Sequence, residues 1–215
     1  MIKVMIVDDH ELVRAGVSRL LKDESGIEVV AEAESGEQAI KLLKSHTIHV
    51  ILMDVKMPGI GGLEATKKLI RANKDLKIIV LTMYDEEPLP SKLLQAGAFG
   101  YITKGSDITE MIRAIKMVYS GKKYIGPDIA QQMALKRYGD NNENPLDLLS
   151  ERELQIMLMI TSGQKVQDIS DKLCLSPKTV NSYRYRLFEK LVVSTDVELT
   201  HIAIRHGLVD MEECD

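Results

Sequence analysis

One alternation constrains this chain more than any other feature. Five short apolar runs, Lys3–Val7, Glu28–Ala31, His49–Met53, Lys77–Leu81 and Phe99–Ile102, are separated by longer stretches of helical periodicity. Helices are expected over Glu11–Leu21, from Ser35-Gly36-Glu37 to about Lys44, and over Gly62–Ala72, Pro88–Ala96 and Asp107–Tyr119, the last capped by Asp107. On the first of these, Leu12, Val13, Ala15, Gly16, Leu20 and Leu21 recur at helical spacing. Five strands alternating with five helices imply a parallel sheet covered on both faces, and uninterrupted apolar strands suit burial on both sides. In open sheets of this kind, ligands sit outside the carboxyl ends of the strands. The residues that end these strands are Asp8, Asp9, Asp54, Thr82 and Lys104.

The alternation stops after Tyr138. From there to Pro145 the chain is polar and rich in turn formers, which reads as a linker. Beyond it every periodic segment is helical. Ser150 and Glu153 form a capping box before a helix to Thr161. Val166–Leu173 is a short helix. Ser176 and Pro177 restart the chain as N-cap and first helical residue of a helix to about Leu191, and a last helix covers roughly Val197–His206.

Composition removes several classes. Hydrophobic residues make up 45% and charged residues 28% of 215 positions, so the chain is neither disordered nor fibrous. No apolar run approaches the roughly 18 residues that span a bilayer. The N-terminus reaches Asp8-Asp9 too early for a signal peptide, so a soluble, cytoplasmic protein without membrane contact is expected. Two cysteines, Cys174 and Cys214, form neither a disulfide framework nor a zinc spacing. With aromatics at 4% and no tryptophan, base-stacking platforms are not expected.

Carboxylates gathered at strand ends disfavour their joint ionisation unless a cation is present. Oxygen ligation by carboxylates, a backbone carbonyl and water suits Mg²⁺. Three acids, the Thr82 hydroxyl and the Lys104 ammonium together suit a phosphoryl group carried on a carboxylate. Each residue alone has a plainer explanation: Asp8-Asp9 as a helix cap, Asp54 as a turn residue, Lys104 as a surface lysine. Their joint occurrence at successive strand ends favours a site.

Val7-Asp8-Asp9-His10, Met53–Gly59 (MDVKMPG), Leu81-Thr82 and Gly100–Lys104 (GYITK) resemble the receiver domain of two-component response regulators. The resemblance implies a flavodoxin-like, CheY-like fold with a five-stranded parallel sheet. It implies that Asp54 accepts a phosphoryl group from a sensor histidine kinase. It further implies that Asp8 or Asp9, Asp54 and the backbone carbonyl of Lys56 hold Mg²⁺, that Thr82 and Lys104 contact the phosphoryl oxygens, and that Tyr101 changes rotamer as Thr82 moves. Gly105 after Lys104 departs from the proline common in such domains.

The second half carries a helix-turn-helix pattern: Val166–Leu173, a break over Cys174–Pro177, then Lys178–Leu191. Val180, Leu187 and Leu191 share one face and should pack inward. That leaves Lys178, Asn181, Ser182, Tyr185 and Arg186 free for the major groove. Net charge over the whole chain is −4, yet Lys165–Lys190 holds six basic and three acidic residues. The acidic end, Asp210, Glu212, Glu213 and Asp215, masks that local excess.

Leu149–Leu158 (LSERELQIML) and Leu175–Leu191 (LSPKTVNSYRYRLFEKL) are similar to the four-helix DNA-binding domain of the LuxR/NarL/FixJ class, with Thr179-Val180 and Lys190-Leu191 in the signature and Tyr183 in place of its histidine. In that class the last helix, here Val197–His206, forms the dimer on an inverted repeat. Asp8–Gly16 (DDHELVRAG), Met57–Thr66 (MPGIGGLEAT) and Asp128–Leu135 (DIAQQMAL) resemble the UvrY/GacA/SirA/LetA branch. That resemblance implies a BarA/GacS-type sensor kinase as partner, and small RNA genes of the Csr/Rsm pathway as targets.

The expected division is a receiver over 1–122, a linker with a helical segment over 123–145, a DNA-binding domain over 146–211 and an acidic tail over 212–215. Two other functions compete with a phosphorylation-gated transcription regulator. A phosphatase of the haloacid dehalogenase type also uses a strand-end Asp, but wants a second Asp two residues on, where Lys56 stands. A protein-interaction module would not need the basic excess beside Asn181, Tyr185 and Arg186.

Overall fold

The computed structural model describes residues 1–83, 88–138 and 144–209, which divide into two compact units. In the first, strands β1 (Ile2–Val7), β2 (Ile27–Ala33), β3 (Val50–Met53), β4 (Lys77–Thr82), β5 (Gly100–Thr103) and β6 (Tyr124–Ile125) form one parallel sheet in the order β2-β1-β3-β4-β5-β6. Between them run α1 (Glu11–Lys22), α2 (Gly36–Leu42), α3 (Gly61–Ala72), α4 (Leu89–Gln95) and α5 (Ile108–Tyr119), and α6 (Pro127–Tyr138) follows.

Side chains alternate between the two faces of each strand. Val4 and Ile6 of β1 join Val50, Leu52, Ile79 and Leu81 under Val17 and Leu21 of α1 and Met111, Ile115 and Val118 of α5. Their neighbours Met5 and Val7 join Ile51, Met53 and Ile78 under Ala39 of α2 and Ala65 and Leu69 of α3. Burying one such side chain is worth about 2 kcal/mol. An exposed ion pair such as Lys116–Glu24, 2.6 Å apart, contributes about 1 kcal/mol at most. The two apolar layers therefore hold the sheet.

Three features differ from the sequence expectation. The sheet has six strands, not five. The sixth has only two residues, Tyr124 and Ile125, paired with Gly100 and Tyr101, and so short a segment carries no periodicity to detect. The stretch 123–145, expected as linker with a helical segment, thus contains a sheet strand and α6, and the first unit extends to Tyr138. On α1 the apolar spacing holds but the facing does not. Val17 and Leu21 are buried, whereas Leu12 is 87% and Leu20 51% exposed. Residues 139–143 of the expected linker, and the acidic tail with Cys214, lie outside the described residues.

The loop after β3 depends on glycine. Gly62 in the first turn of α3 donates its N–H to the Val55 carbonyl at 2.8 Å. A Cβ there would lie 2.1 Å from the Asp54 carbonyl oxygen and 2.7 Å from the Val55 Cα, a backbone clash with no flexible partner to give way. Gly59 has φ +86°, which L side chains rarely adopt, and its loop accepts a cross-link from α2: Glu37 Oε1 receives the Ile60 N–H at 3.1 Å.

The second unit comprises a 3₁₀ turn (Pro145–Leu148) and helices α7 (Glu151–Thr161), α8 (Val166–Leu173), α9 (Pro177–Leu191) and α10 (Asp196–Arg205). Val180, Leu187 and Leu191 of α9 are buried, as their spacing predicts, in a core with Leu154, Ile156 and Met157 of α7, Ile169 of α8 and Leu199 of α10. The Ser150–Glu153 capping box forms, and Lys190 Nζ donates to the same Glu153 Oε2 at 2.7 Å and to the Leu148 carbonyl at 2.9 Å. Burial raises the Glu153 carboxyl, but bonds from Lys190 and Ser150 outweigh it and hold the group below its ordinary value. Arg184 Nε and Nη2 grip both oxygens of Asp196 at 2.6 Å, fixing α10 to α9.

Two glycine substitutions should move stability in opposite directions. Gly62→Ala is expected to lower the unfolding free energy read from urea titration by about 1–3 kcal/mol, through overpacking. Gly16→Ala, inside α1 with no neighbouring atom within 4 Å, is expected to raise it by up to about 1 kcal/mol.

Candidate functional site

Backbone bonding continues one residue past each strand end and fixes the acids in place. The Asp8 N–H donates to Ala33 O at 3.0 Å, the Asp54 N–H to Val7 O at 2.8 Å, and the Lys104 N–H to Thr82 O at 2.8 Å. Asp8 and Asp54 therefore stand side by side beyond adjacent strands β1 and β3, at 1% and 3% exposure. Lys104 leaves the sheet on β5, two strand positions from β3. Its ammonium nonetheless reaches both carboxylates, 2.7 Å from Asp8 Oδ2 and 2.8 Å from Asp54 Oδ2. Asp54 Oδ1 accepts the Val55 N–H at 2.7 Å, and Asp8 Oδ1 accepts the His10 N–H at 2.9 Å.

Asp9 is partly exposed, with Oδ1 out of solvent and 3.1 Å from His10 Nδ1. Ligand atoms of Asp8, Asp9, His10 and Asp54 all lie within 4.8 Å of one another. Three carboxylates against one ammonium leave two negative charges, the charge of one divalent cation. Asp9 Oδ1 accepts no hydrogen bond although it is out of solvent. Such a set of oxygens fits Mg²⁺.

Burial lifts the Asp54 carboxyl to about 6, opposed by the Lys104 charge and hydrogen bond and reinforced by the Asp8 charge. Burial works against the Lys104 ammonium, but Asp54 and Asp8 outweigh it and hold the group above the usual lysine value. At neutral pH the Asp54 carboxyl is thus ionised beside a cationic lysine.

Thr82 ends β4 between these strands and is fully buried, in register with Thr103. Tyr101 on β5 is also fully buried. Lys56 lies half-buried in the loop two residues after Asp54. Gly105 keeps out of the left-handed region, so the position after Lys104 makes no special demand on the backbone. Sequence reasoning missed three contributors. Arg14 Nη1 donates to the Asp8 carbonyl at 2.8 Å from the first turn of α1. Glu37 secures the loop after Asp54, and Gly62 lets α3 approach it. The glycine cluster Gly59-Ile60-Gly61-Gly62 was the available signal; nothing in the sequence singles out Arg14 or Glu37.

On α9, Lys178, Ser182, Tyr185 and Arg186 are exposed, and Thr179 and Asn181 are half-buried. Several have internal partners. The Thr179 N–H donates to the Ser176 cap at 3.1 Å, Ser182 Oγ donates to the Lys178 carbonyl at 2.9 Å, and the Arg186 guanidinium lies 5.6 Å from the Tyr183 ring centre. Lys178 and Arg186 present their charge to solvent from one helix, as phosphate neutralisation requires.

A parallel sheet with paired buried acids and a bridging lysine, joined to a helix-turn-helix unit, defines a class, and the chain belongs to it: the response regulators, bacterial two-component regulators of transcription. Residues 4–116 match the response regulator receiver domain, and residues 147–203 match the luxR family of bacterial regulatory proteins. Among full-length relatives it is similar to the response regulator UvrY of Escherichia coli, 60% identical over 99% of this chain and 98% of that protein. It is equally similar to the response regulator GacA of Pseudomonas syringae, 59% identical over 98% of this chain and 99% of that one. Its structural relatives include RcsB of Salmonella typhimurium, at TM-score 0.77 and 27% identity over 93% of this chain and 95% of that one. Another is RcsB bound to promoter rprA in the presence of the phosphomimetic BeF₃⁻, at TM-score 0.76 and 27% identity over 94% of this chain and 98% of that one. Among the described residues no helix is long and apolar enough to cross a membrane.

The Asp54 shift carries a stability consequence. A folded-state value of about 6 against 3.8 means that Asp54 favours the fold when protonated, and that this contribution is lost as pH rises through about 6. Asp54→Asn is therefore expected to raise the unfolding free energy at pH 7.5 by up to about 3 kcal/mol, read as a higher midpoint of thermal unfolding. The advantage should shrink toward zero as the pH of the melt falls to about 4.

Proposed function

We propose that this regulator is switched by phosphorylation of Asp54, the phosphoryl group coming from a sensor histidine kinase of the BarA/GacS type. An Asp54 carboxylate oxygen bonds to phosphorus as the P–N bond of the kinase phosphohistidine breaks, its electron pair passing to the imidazole nitrogen. Asp8, Asp9 and Asp54, with the Lys56 carbonyl, are the residues that hold Mg²⁺. When bound, that ion neutralises charge on the transferring oxygens. The Lys104 ammonium bridging Asp8 and Asp54 is the observation that carries this reading, because it places a cation where new equatorial oxygens arise. Thr82 donates its hydroxyl to the same group.

The modification adds about −1.5 to −2 charge next to Lys104 and Thr82. Thr82 shifts toward it, and the buried Tyr101 on the neighbouring strand follows, biasing a two-state surface. Phosphorylation then promotes a homodimer through α10, whose Val197 is 64% exposed. Two α9 helices occupy an inverted repeat in double-stranded DNA, where Lys178, Thr179 and Ser182 meet phosphates and Asn181, Tyr185 and Arg186 meet phosphates or base edges. Each half-site raises the effective concentration at the other. The high identity to UvrY and GacA along the whole chain supports small RNA genes of the Csr/Rsm pathway as targets, and the cytoplasm as the place of action.

Binding to a small RNA promoter fragment, measured with and without acetyl phosphate and Mg²⁺, tests this reading. Wild type is expected to bind at least about tenfold more tightly when phosphorylated, and Asp54→Asn to show no response; equal affinity in both states of wild type would overturn it. In the same assay, Arg186→Ala should weaken binding and reduce the salt slope by about one.

A further inference from the structure

His10 follows the two acids directly, yet the phosphoryl chemistry has no use for it. It stands at the N-cap of α1 without capping it; the side chain makes no bond to the first turn. The ring turns toward the carboxylates instead, with Nδ1 3.1 Å from Asp9 Oδ1 and 3.3 Å from Asp8 Oδ1. Adjacent corners of an octahedron lie about 3.0 Å apart when the ligand bonds are about 2.1 Å. The two spacings from Nδ1 match those that ligands sharing one ion would have. Asp9 Oδ1, out of solvent and without a hydrogen bond, is an acceptor in want of a cation.

We propose that His10 Nδ1 is a direct metal ligand of this pocket, so that the site takes a first-row transition dication such as Mn²⁺ or Co²⁺ more tightly than Mg²⁺. The inference rests on the reading that the carboxylates hold a dication, and adds the nitrogen that selects among dications. Mg²⁺ is hard, prefers oxygen and keeps its waters, whereas imidazole nitrogen favours ions later in the first transition row. A neutral imidazole leaves the charge balance of the pocket unchanged while replacing one water of the ion. His10 is 61% exposed at its side chain, so it faces the pocket from the solvent side.

Calorimetric titration of the full chain with Mg²⁺, Mn²⁺ and Co²⁺ tests this, with wild type, His10→Ala and His10→Gln compared, and pulsed EPR of bound Mn²⁺ read for ¹⁴N coupling. Loss of the nitrogen is expected to weaken Mn²⁺ and Co²⁺ by at least about tenfold, and Mg²⁺ by no more than about threefold. Wild type should show ¹⁴N coupling that both variants lack. The exposed position of His10 makes folding of the variants straightforward, and coincident thermal melts in the absence of metal check it. Equal Mn²⁺ affinity in all three proteins, or no ¹⁴N coupling in wild type, would overturn the role of His10 while Mg²⁺ binding kept the carboxylate site. Failure of every dication to bind wild type would overturn both.

Discussion

The first unit is organised around an electrostatic conflict. Two carboxylates, Asp8 and Asp54, are withdrawn from water at the ends of neighbouring strands, and one ammonium from β5 is drawn between them. Desolvation disfavours their charge, and proximity disfavours it further. Neither acid sits there because the fold needs it. The apolar layers on the two faces of the sheet hold the strands, and the strand ends are then free to carry a charge arrangement that opposes folding. That surplus of negative charge is what makes the pocket responsive to a cation or a phosphoryl group, either of which changes the balance around Lys104.

The second unit handles charge in the opposite way. Its buried acid, Glu153, is satisfied three times over, by the Ser150 N–H, the Ser150 hydroxyl and Lys190. Its half-buried acid Asp196 is held by two donors of Arg184. Two of the basic residues that make Lys165–Lys190 positive are thereby committed to packing α9 against α7 and α10. The basic residues that remain toward solvent on α9 itself are Lys178 and Arg186. The local excess of positive charge is real, but the number of residues free to meet a phosphate is smaller than a count along the sequence gives.

Legibility of the fold varied with the length of the signal. Strands of four to seven residues with continuous apolar character, and helices with capping residues such as Asp107, Ser150 and Ser176, appeared where their patterns placed them. The two-residue strand β6 had no pattern to show, because pairing with β5 needs backbone groups and not side-chain identity. Leu12 and Leu20 fit the helical period of α1 but lie outside the layer, since a period of 3.6 fixes spacing along a helix and leaves the facing open. Arg14 and Glu37 act through contacts to backbone atoms in other elements, and no spacing in the sequence encodes such a contact.

The sequence by itself determined the sheet class, the helical second half, and the set of strand-end residues from which a site is built. These follow from local periodicity and from the rule that parallel strands open their carboxyl ends to ligands. Only the tertiary structure decided that Lys104 bridges Asp8 and Asp54, that α3 approaches Asp54 closely enough to require Gly62, and that His10 turns its ring nitrogen toward the acids. Strand order and loop path bring residues 46 to 96 positions apart into contact at the pocket, and that convergence is a property of the packed sheet, absent from any stretch of chain.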